Sequence, residues 1–115
     1  MKTAVIYARQ KASATENTIF DQVTTCRKYA TTYGIKVVNQ YKDIVYPNNI
    51  QTSGLLSLLK DAKTSTWDLI IIDQLKELGR KQNETNKILK QLKSLNKQLI
   101  IVDLQKGDCC LWKLQ

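Results

Sequence analysis

Residues 67–73 read Trp-Asp-Leu-Ile-Ile-Ile-Asp, four consecutive branched aliphatics closed off by an aspartate on each side. A half-buried strand alternates apolar and polar residues, whereas an unbroken apolar run this short describes a strand covered on both faces. Such strands sit at the centre of parallel sheets, with helices packed above and below. Two further runs share the pattern: Ala4-Val5-Ile6-Tyr7-Ala8, which ends in Arg9, and Leu99-Ile100-Ile101-Val102. A chain that must bury three such strands needs helical crossovers between them, and the intervening segments have the right length and periodicity.

Residues 10–17 carry no apolar period and read as a surface loop. Thr18 is a candidate N-cap for a helix with Ile19, Val23, Cys26, Ala30 and Tyr33 inward, which Gly34 closes. Residues 35–41 form a second strand. Residues 42–53 hold the only proline, Pro47, followed by Asn48 and Asn49, and read as a mobile loop. Thr52 or Ser53 then caps a helix with Leu55, Leu58, Leu59 and Ala62 inward. After a turn over residues 74–80, Asn83 or Thr85 caps a last helix. It turns Ile88, Leu89, Leu92 and Leu95 inward and Lys87, Lys90, Lys93 and Lys97 outward. The order β-α-β-α-β-α-β predicts an α/β fold: a single doubly wound domain over residues 1–104 with a mainly parallel four-stranded central sheet, followed by an irregular tail over residues 105–115.

With 115 residues, one such domain exhausts the chain. Eighteen lysines and arginines against ten aspartates and glutamates leave a net charge of +8, which favours a polyanionic partner such as nucleic acid. There is no histidine, which excludes a histidine general base and any histidine-containing metal site. Three cysteines without metal-ligand spacing suit a reducing compartment, and no run approaches a membrane span, so a cytoplasmic protein with no membrane partner is expected. Cys26 falls on a helix core face, and Cys109 and Cys110 receive no role.

Candidate chemistry gathers where the strands end, the edge at which open α/β sheets bind ligands. Arg9 follows the first strand, Arg80 follows the third after a short turn, and Gln22 lies one turn into the first helix. Two guanidinium groups across a cleft suit a phosphate, since each donates paired hydrogen bonds to its oxygens.

Several segments together resemble the resolvase/invertase family of serine site-specific recombinases. They are Tyr7-Ala8-Arg9, Thr18-Ile19-x-x-Gln22, Cys26-Arg27-Lys28-Tyr29-Ala30 with Gly34, Gly54-Leu55-Leu56-x-Leu58-Leu59, the strand from Trp67, and Leu75-x-x-Leu78-Gly79-Arg80. The resemblance runs from about Thr3 to Leu104. It implies a catalytic domain that attacks a DNA phosphodiester with a serine hydroxyl, becomes linked to the 5′ phosphate and exchanges strands within a tetramer, using neither metal nor nucleotide cofactor. Arg9, Gln22 and Arg80 are the retained members of the family's catalytic set. Arginines around the phosphate make sense for metal-free phosphoryl transfer, which needs fixed positive charge where negative charge develops.

The position that the family gives to the nucleophilic serine is Lys11, whose amine cannot replace a hydroxyl in transesterification. Thr52 and Ser53 stand where the family has an arginine, and its Asp-Arg pair is replaced by Lys76 and Glu77. Residues 105–115 are too short for the long helix and the separate DNA-binding domain that follow in the family. The expectation is therefore a degenerate, truncated recombinase-like domain of the kind associated with DNA integration and mobile elements. It binds DNA without sequence preference through phosphate contacts of Arg9, Lys11, Arg80, Lys87 and Lys90, or assembles as a homo- or hetero-oligomer with recombinase-type domains, and does not cut. Two alternatives stand beside it: an active fragment using the displaced Ser13, and a protein-interaction module on the same fold.

Overall fold

In a computed structural model the described residues are 2–13, 18–46, 53–74 and 82–102. They form β1 (Thr3–Lys11), α1 (Thr18–Thr32), β2 (Lys36–Val45), α2 (Ser53–Ala62), β3 (Leu69–Ile72), α3 (Gln82–Ser94) and β4 (Gln98–Ile101). The strands make one sheet in the order β2-β1-β3-β4, every neighbouring pair parallel. This is the doubly wound α/β architecture that the three apolar runs require.

Alternate residues of β1, β3 and β4 enter two cores. Val5, Tyr7, Ile70, Ile72, Leu99 and Ile101 face the side on which Leu55, Leu58, Leu59 and Ala62 of α2 and Leu92 of α3 pack. Ala4, Ile6, Leu69, Ile71 and Ile100 face Cys26 and Ala30 of α1. The predicted α2 stripe is reproduced residue for residue. On α1, Tyr33 departs from the expected inward stripe: it is exposed and its ring lies 4.5 Å from that of Tyr29. Gly34 ends α1 with φ of 66°, a left-handed conformation that lets the Ile35 amide reach back to the Ala30 carbonyl at 2.8 Å.

Several boundaries differ from the sequence reading, α3 beginning at Gln82 ahead of both candidate caps, and three of the departures have a visible physical reason. β1 runs on to Lys11 because residues 7–11 pair with β2, the last couple being Lys11 and Val45. Residues 10 and 11 are therefore strand rather than loop. β2 continues through Asp43 to Val45, four residues past its expected end, because Asp43 finds buried donors. The remainder of the expected loop, residues 47–52, lies outside the described residues. Lys97 is not outward on α3. The helix stops at Ser94, and Asn96 adopts φ of 59° while the Lys97 amide bonds back to Leu92. That reversal sends the Lys97 side chain inward, where it is 9% exposed and its Nζ donates to the carbonyls of Ser65 (2.9 Å) and Trp67 (2.6 Å), 4.6 Å from the centre of the Trp67 ring.

β1 pairs with β3 only from Ala4 to Ile6, so its last five residues project past that neighbour at the carboxyl edge. The chain winds to β2 on one side of β1 and to β3 on the other, which makes this the topological switch point where sheets of this class open a crevice. No helix among the described residues is long and apolar enough to cross a membrane.

Candidate functional site

The projecting end of β1 would leave backbone groups unpaired on the side that β3 does not reach. Gln22 supplies the missing partner: its Oε1 accepts from the Arg9 amide at 3.0 Å and its Nε2 donates to the Arg9 carbonyl at 2.7 Å. Only 7% of Gln22 is exposed, and its amide fixes Arg9 as a neighbouring strand would. Gln22 therefore positions Arg9 through its backbone. One residue further, the Gln10 side chain accepts from the Ile19 amide (3.0 Å) and the Thr18 hydroxyl (3.1 Å), so β1 itself caps the first turn of α1.

On the α2 side of β1 the period of two places Tyr7, Arg9 and Lys11 in a row. The Tyr7 hydroxyl donates to Asp43 Oδ2 at 2.6 Å and accepts from Arg9 Nε at 3.1 Å, with the guanidinium carbon 5.7 Å from the centre of the Tyr7 ring. Asp43, 4% exposed, also accepts from the amides of Gly54 (2.7 Å, at Oδ1) and Leu55 (2.9 Å, at Oδ2). The carboxylate thus caps α2 from the neighbouring strand, where the positive end of the helix dipole favours it. Ser53 begins α2, but Asp43 supplies the acceptors that the sequence reading sought from Thr52 or Ser53; Thr52 lies outside the described residues.

Close approach makes this cap possible. A Cβ on Gly54 would stand 2.2 Å from the Lys42 carbonyl oxygen, so only glycine lets the start of α2 come this near β2. Burial, and then the hydrogen bond to Asp43, push the Tyr7 phenol far above its ordinary range, while Arg9 pulls the other way. Tyr7 is a neutral donor to Asp43 and an acceptor for Arg9 throughout the ordinary pH range. A chain of four groups, from the α2 amides through Asp43 and Tyr7 to Arg9 Nε, holds the guanidinium in place.

Lys11 ends β1 opposite Val45 and is exposed, on the same side as Arg9. The Ala12 amide donates to the Val45 carbonyl at 2.7 Å, fixing the register up to this point. Ser13 is exposed just beyond it. Lys87 and Lys90 are exposed on α3. Arg80 lies outside the described residues, as do Lys76, Glu77 and residues 103–115. Among the described residues, no three histidine, cysteine or carboxylate side chains converge to hold a metal ion.

Asp43 is the site residue that sequence reasoning missed. A signal was present: Tyr41, Asp43 and Val45 alternate, and an acid at an inward position of a strand demands buried donors. The turn signal of Pro47-Asn48-Asn49 drew the strand end upstream and hid it.

Fold and site together describe a doubly wound domain with a fixed arginine at its switch point. The family model described as "Resolvase, N terminal domain" matches residues 4–109, and the chain belongs to that family. Among solved structures, the C-terminal catalytic domain of ISC1926 TnpA, an IS607-like serine recombinase, is 31% identical. It aligns with a TM-score of 0.77 over 88% of this chain and 70% of that one. The N-terminal catalytic domain of TP901-1 integrase aligns with a TM-score of 0.78 at 20% identity, over 90% of this chain and 78% of that one. A resolvase family site-specific recombinase from Streptococcus pneumoniae gives 0.79 at 14% identity, over 96% and 76%. The last two share the fold. No curated protein matches the chain significantly in sequence.

Proposed function

We propose that this protein is a cytoplasmic recombinase-type domain that binds DNA through backbone phosphates and does not cleave it. The observation that carries this reading is the position of Lys11: an exposed ammonium at the fixed end of β1, beside Arg9, where the family resemblance puts a serine hydroxyl. A phosphate there meets two positive groups held by the sheet. Arg9 has its Nε taken by Tyr7 and offers its terminal nitrogens, while Lys11 adds a point charge. The amine of Lys11 contributes Coulombic attraction and hydrogen bonds but no oxygen nucleophile, so no phosphoester to the protein forms. Lys87 and Lys90 on α3, with Arg80, extend the contact along the backbone, and the partner is duplex DNA held without sequence readout. Assembly with recombinase-type domains, of its own kind or another, follows from family membership as part of the same proposal.

Ser13 is a poor substitute nucleophile for a reason of register. Sliding β1 by two residues to bring Ser13 to the place of Lys11 keeps the faces but moves Arg9 into the buried place of Tyr7. It also breaks the bonds that Gln22 makes to Arg9 and the bond of Ala12 to Val45. Attack on phosphorus needs the oxygen at roughly 3–3.5 Å in line, a tolerance that a residue beyond the fixed end of the strand does not meet.

The test is incubation with supercoiled plasmid followed by denaturing electrophoresis. The expected result is retardation of DNA under native conditions and no protein-linked DNA after denaturation, with Arg9→Ala and Lys90→Ala each weakening the retardation. A covalent adduct that Ser13→Ala abolishes would overturn the reading in favour of an active recombinase.

A further inference from the structure

Beyond the phosphate site, one strip of the surface combines exposed aromatic and basic groups. β2 is an edge strand, and the residues it turns toward α1, Gln40, Lys42, Ile44 and then Tyr46, are all exposed. Ile44 is 44% exposed and Tyr46 54%. Across from them runs the outer face of α1. Arg27 Nη2 donates to Gln40 Oε1 at 3.0 Å, which fixes the lower end of the strip. At the upper end, Phe20 follows Ile19, whose amide is held by Gln10, and Gln10 is the register partner of Ile44. Phe20, 64% exposed, therefore stands toward the carboxyl edge with Ile44 and Tyr46. Further down α1, Arg27 and Lys28 line a shallow depression with three threonines.

We infer that this strip binds single-stranded DNA, with bases against Phe20 and Tyr46 and phosphates along Lys42, Arg27 and Lys28. Large aromatic groups exposed next to cations are the two parts such a surface needs, since every base offers a face for stacking and every nucleotide a charge. Duplex DNA uses the cations alone, because its bases are already stacked. Charge argues against a second copy of the chain as occupant. Pairing about a twofold axis sets the same patch against itself, and here Asp21 is the one acidic side chain on α1 against Arg27, Lys28 and Lys42. Lysines on an edge strand also oppose strand addition. The strip lies on the α1 face of the sheet and Arg9 and Lys11 on the α2 face, but both end at the carboxyl edge, so a strand held by Arg9 and Lys11 reaches the strip by passing over that edge. The inference therefore rests on the DNA-binding reading and adds a preference for unpaired strands.

The experiment is fluorescence anisotropy with a labelled oligothymidylate of about a dozen nucleotides and a hairpin duplex of matched charge. Wild-type protein is compared with Phe20→Ala/Tyr46→Ala, Phe20→Tyr/Tyr46→Phe and Lys11→Ala. The alanine pair is expected to weaken oligothymidylate binding by at least about fivefold and to leave duplex binding within twofold, while the aromatic pair restores wild-type behaviour. All these side chains are exposed, and a circular-dichroism melt confirms that the variants fold. Equal losses on both DNAs, or no loss on the oligothymidylate while the duplex still binds, would overturn this inference and leave the DNA-binding reading intact. Failure of the wild type to bind either DNA would overturn both.

Discussion

Two ends of the sheet hold a cation beside an aromatic ring and use it in opposite ways. At the amino edge, Lys97 is buried with its ammonium bonded to the Ser65 and Trp67 carbonyls and laid against the Trp67 ring. At the carboxyl edge, Arg9 lies against Tyr7 and gives that residue only its Nε, while the tyrosine donates to Asp43, which the α2 amides hold from below. Lys97 ties the entry to β4 to the segment that leads into β3, and its charge is consumed by the fold. Arg9 is steadied by the fold, and its charge remains directed outward. A basic residue count therefore says little until each cation is sorted by where its hydrogen bonds go.

The sharpest way to break this contrast is to remove the support beneath Arg9. Asp43→Ala strands the Tyr7 hydroxyl and the amides of Gly54 and Leu55, and is expected to lower stability by about 3–5 kcal/mol in denaturant unfolding. Asp43→Asn puts an amide donor against groups that already donate and is expected to lose about half as much. An unchanged unfolding midpoint for Asp43→Ala would mean that the network does not hold the site.

The amino edge is tested by Lys97→Met, which keeps the stem against Trp67 but strands two carbonyls. A loss of about 2 kcal/mol is expected, with DNA affinity unchanged. A variant that binds DNA more weakly while staying equally stable would show that Lys97 belongs with the binding cations after all.

A smaller effect separates the two cores from β2's open edge by pH. Tyr41 donates to Asp61 at 2.5 Å, and burial followed by that bond pushes its phenol up to about 12. A phenol raised above its unfolded value of 10.0 contributes stability that is complete below pH 10 and lost as pH rises toward 12. Thermal melts across that window should fall, and Tyr7, raised from the same starting value, adds to the loss there and prolongs it to higher pH. The fall should be shallower in Tyr41→Phe. Parallel slopes for the two proteins would contradict the role given to the Tyr41–Asp61 pair.

Much of the architecture was legible because it follows from local pattern. Unbroken apolar runs marked the buried strands, and Leu55, Leu58, Leu59 and Ala62 showed the buried face of α2 at the helical period. What escaped depends on partners distant in sequence. Nothing beside Asp43 announces that Tyr7, thirty-six residues earlier, will donate to it. Lys97 continues the outward lysine period of α3, and only the left-handed Asn96 takes it out of that period. Gln22 was legible as a site residue through the resemblance, whereas its bonds to the Arg9 backbone emerge only once β1 is seen to outrun β3.

The role of Lys11 as a phosphate ligand is the central claim, and the salt dependence of duplex binding measures it. Removing one cation that neutralises a phosphate makes the slope of log K against log salt shallower by about 0.9. Lys11→Gln should therefore bind more weakly at low salt with a slope shallower by about that amount, and should fold as well as the wild type. An unchanged slope and affinity in Lys11→Gln would contradict the claim that an ammonium at the end of β1 holds DNA.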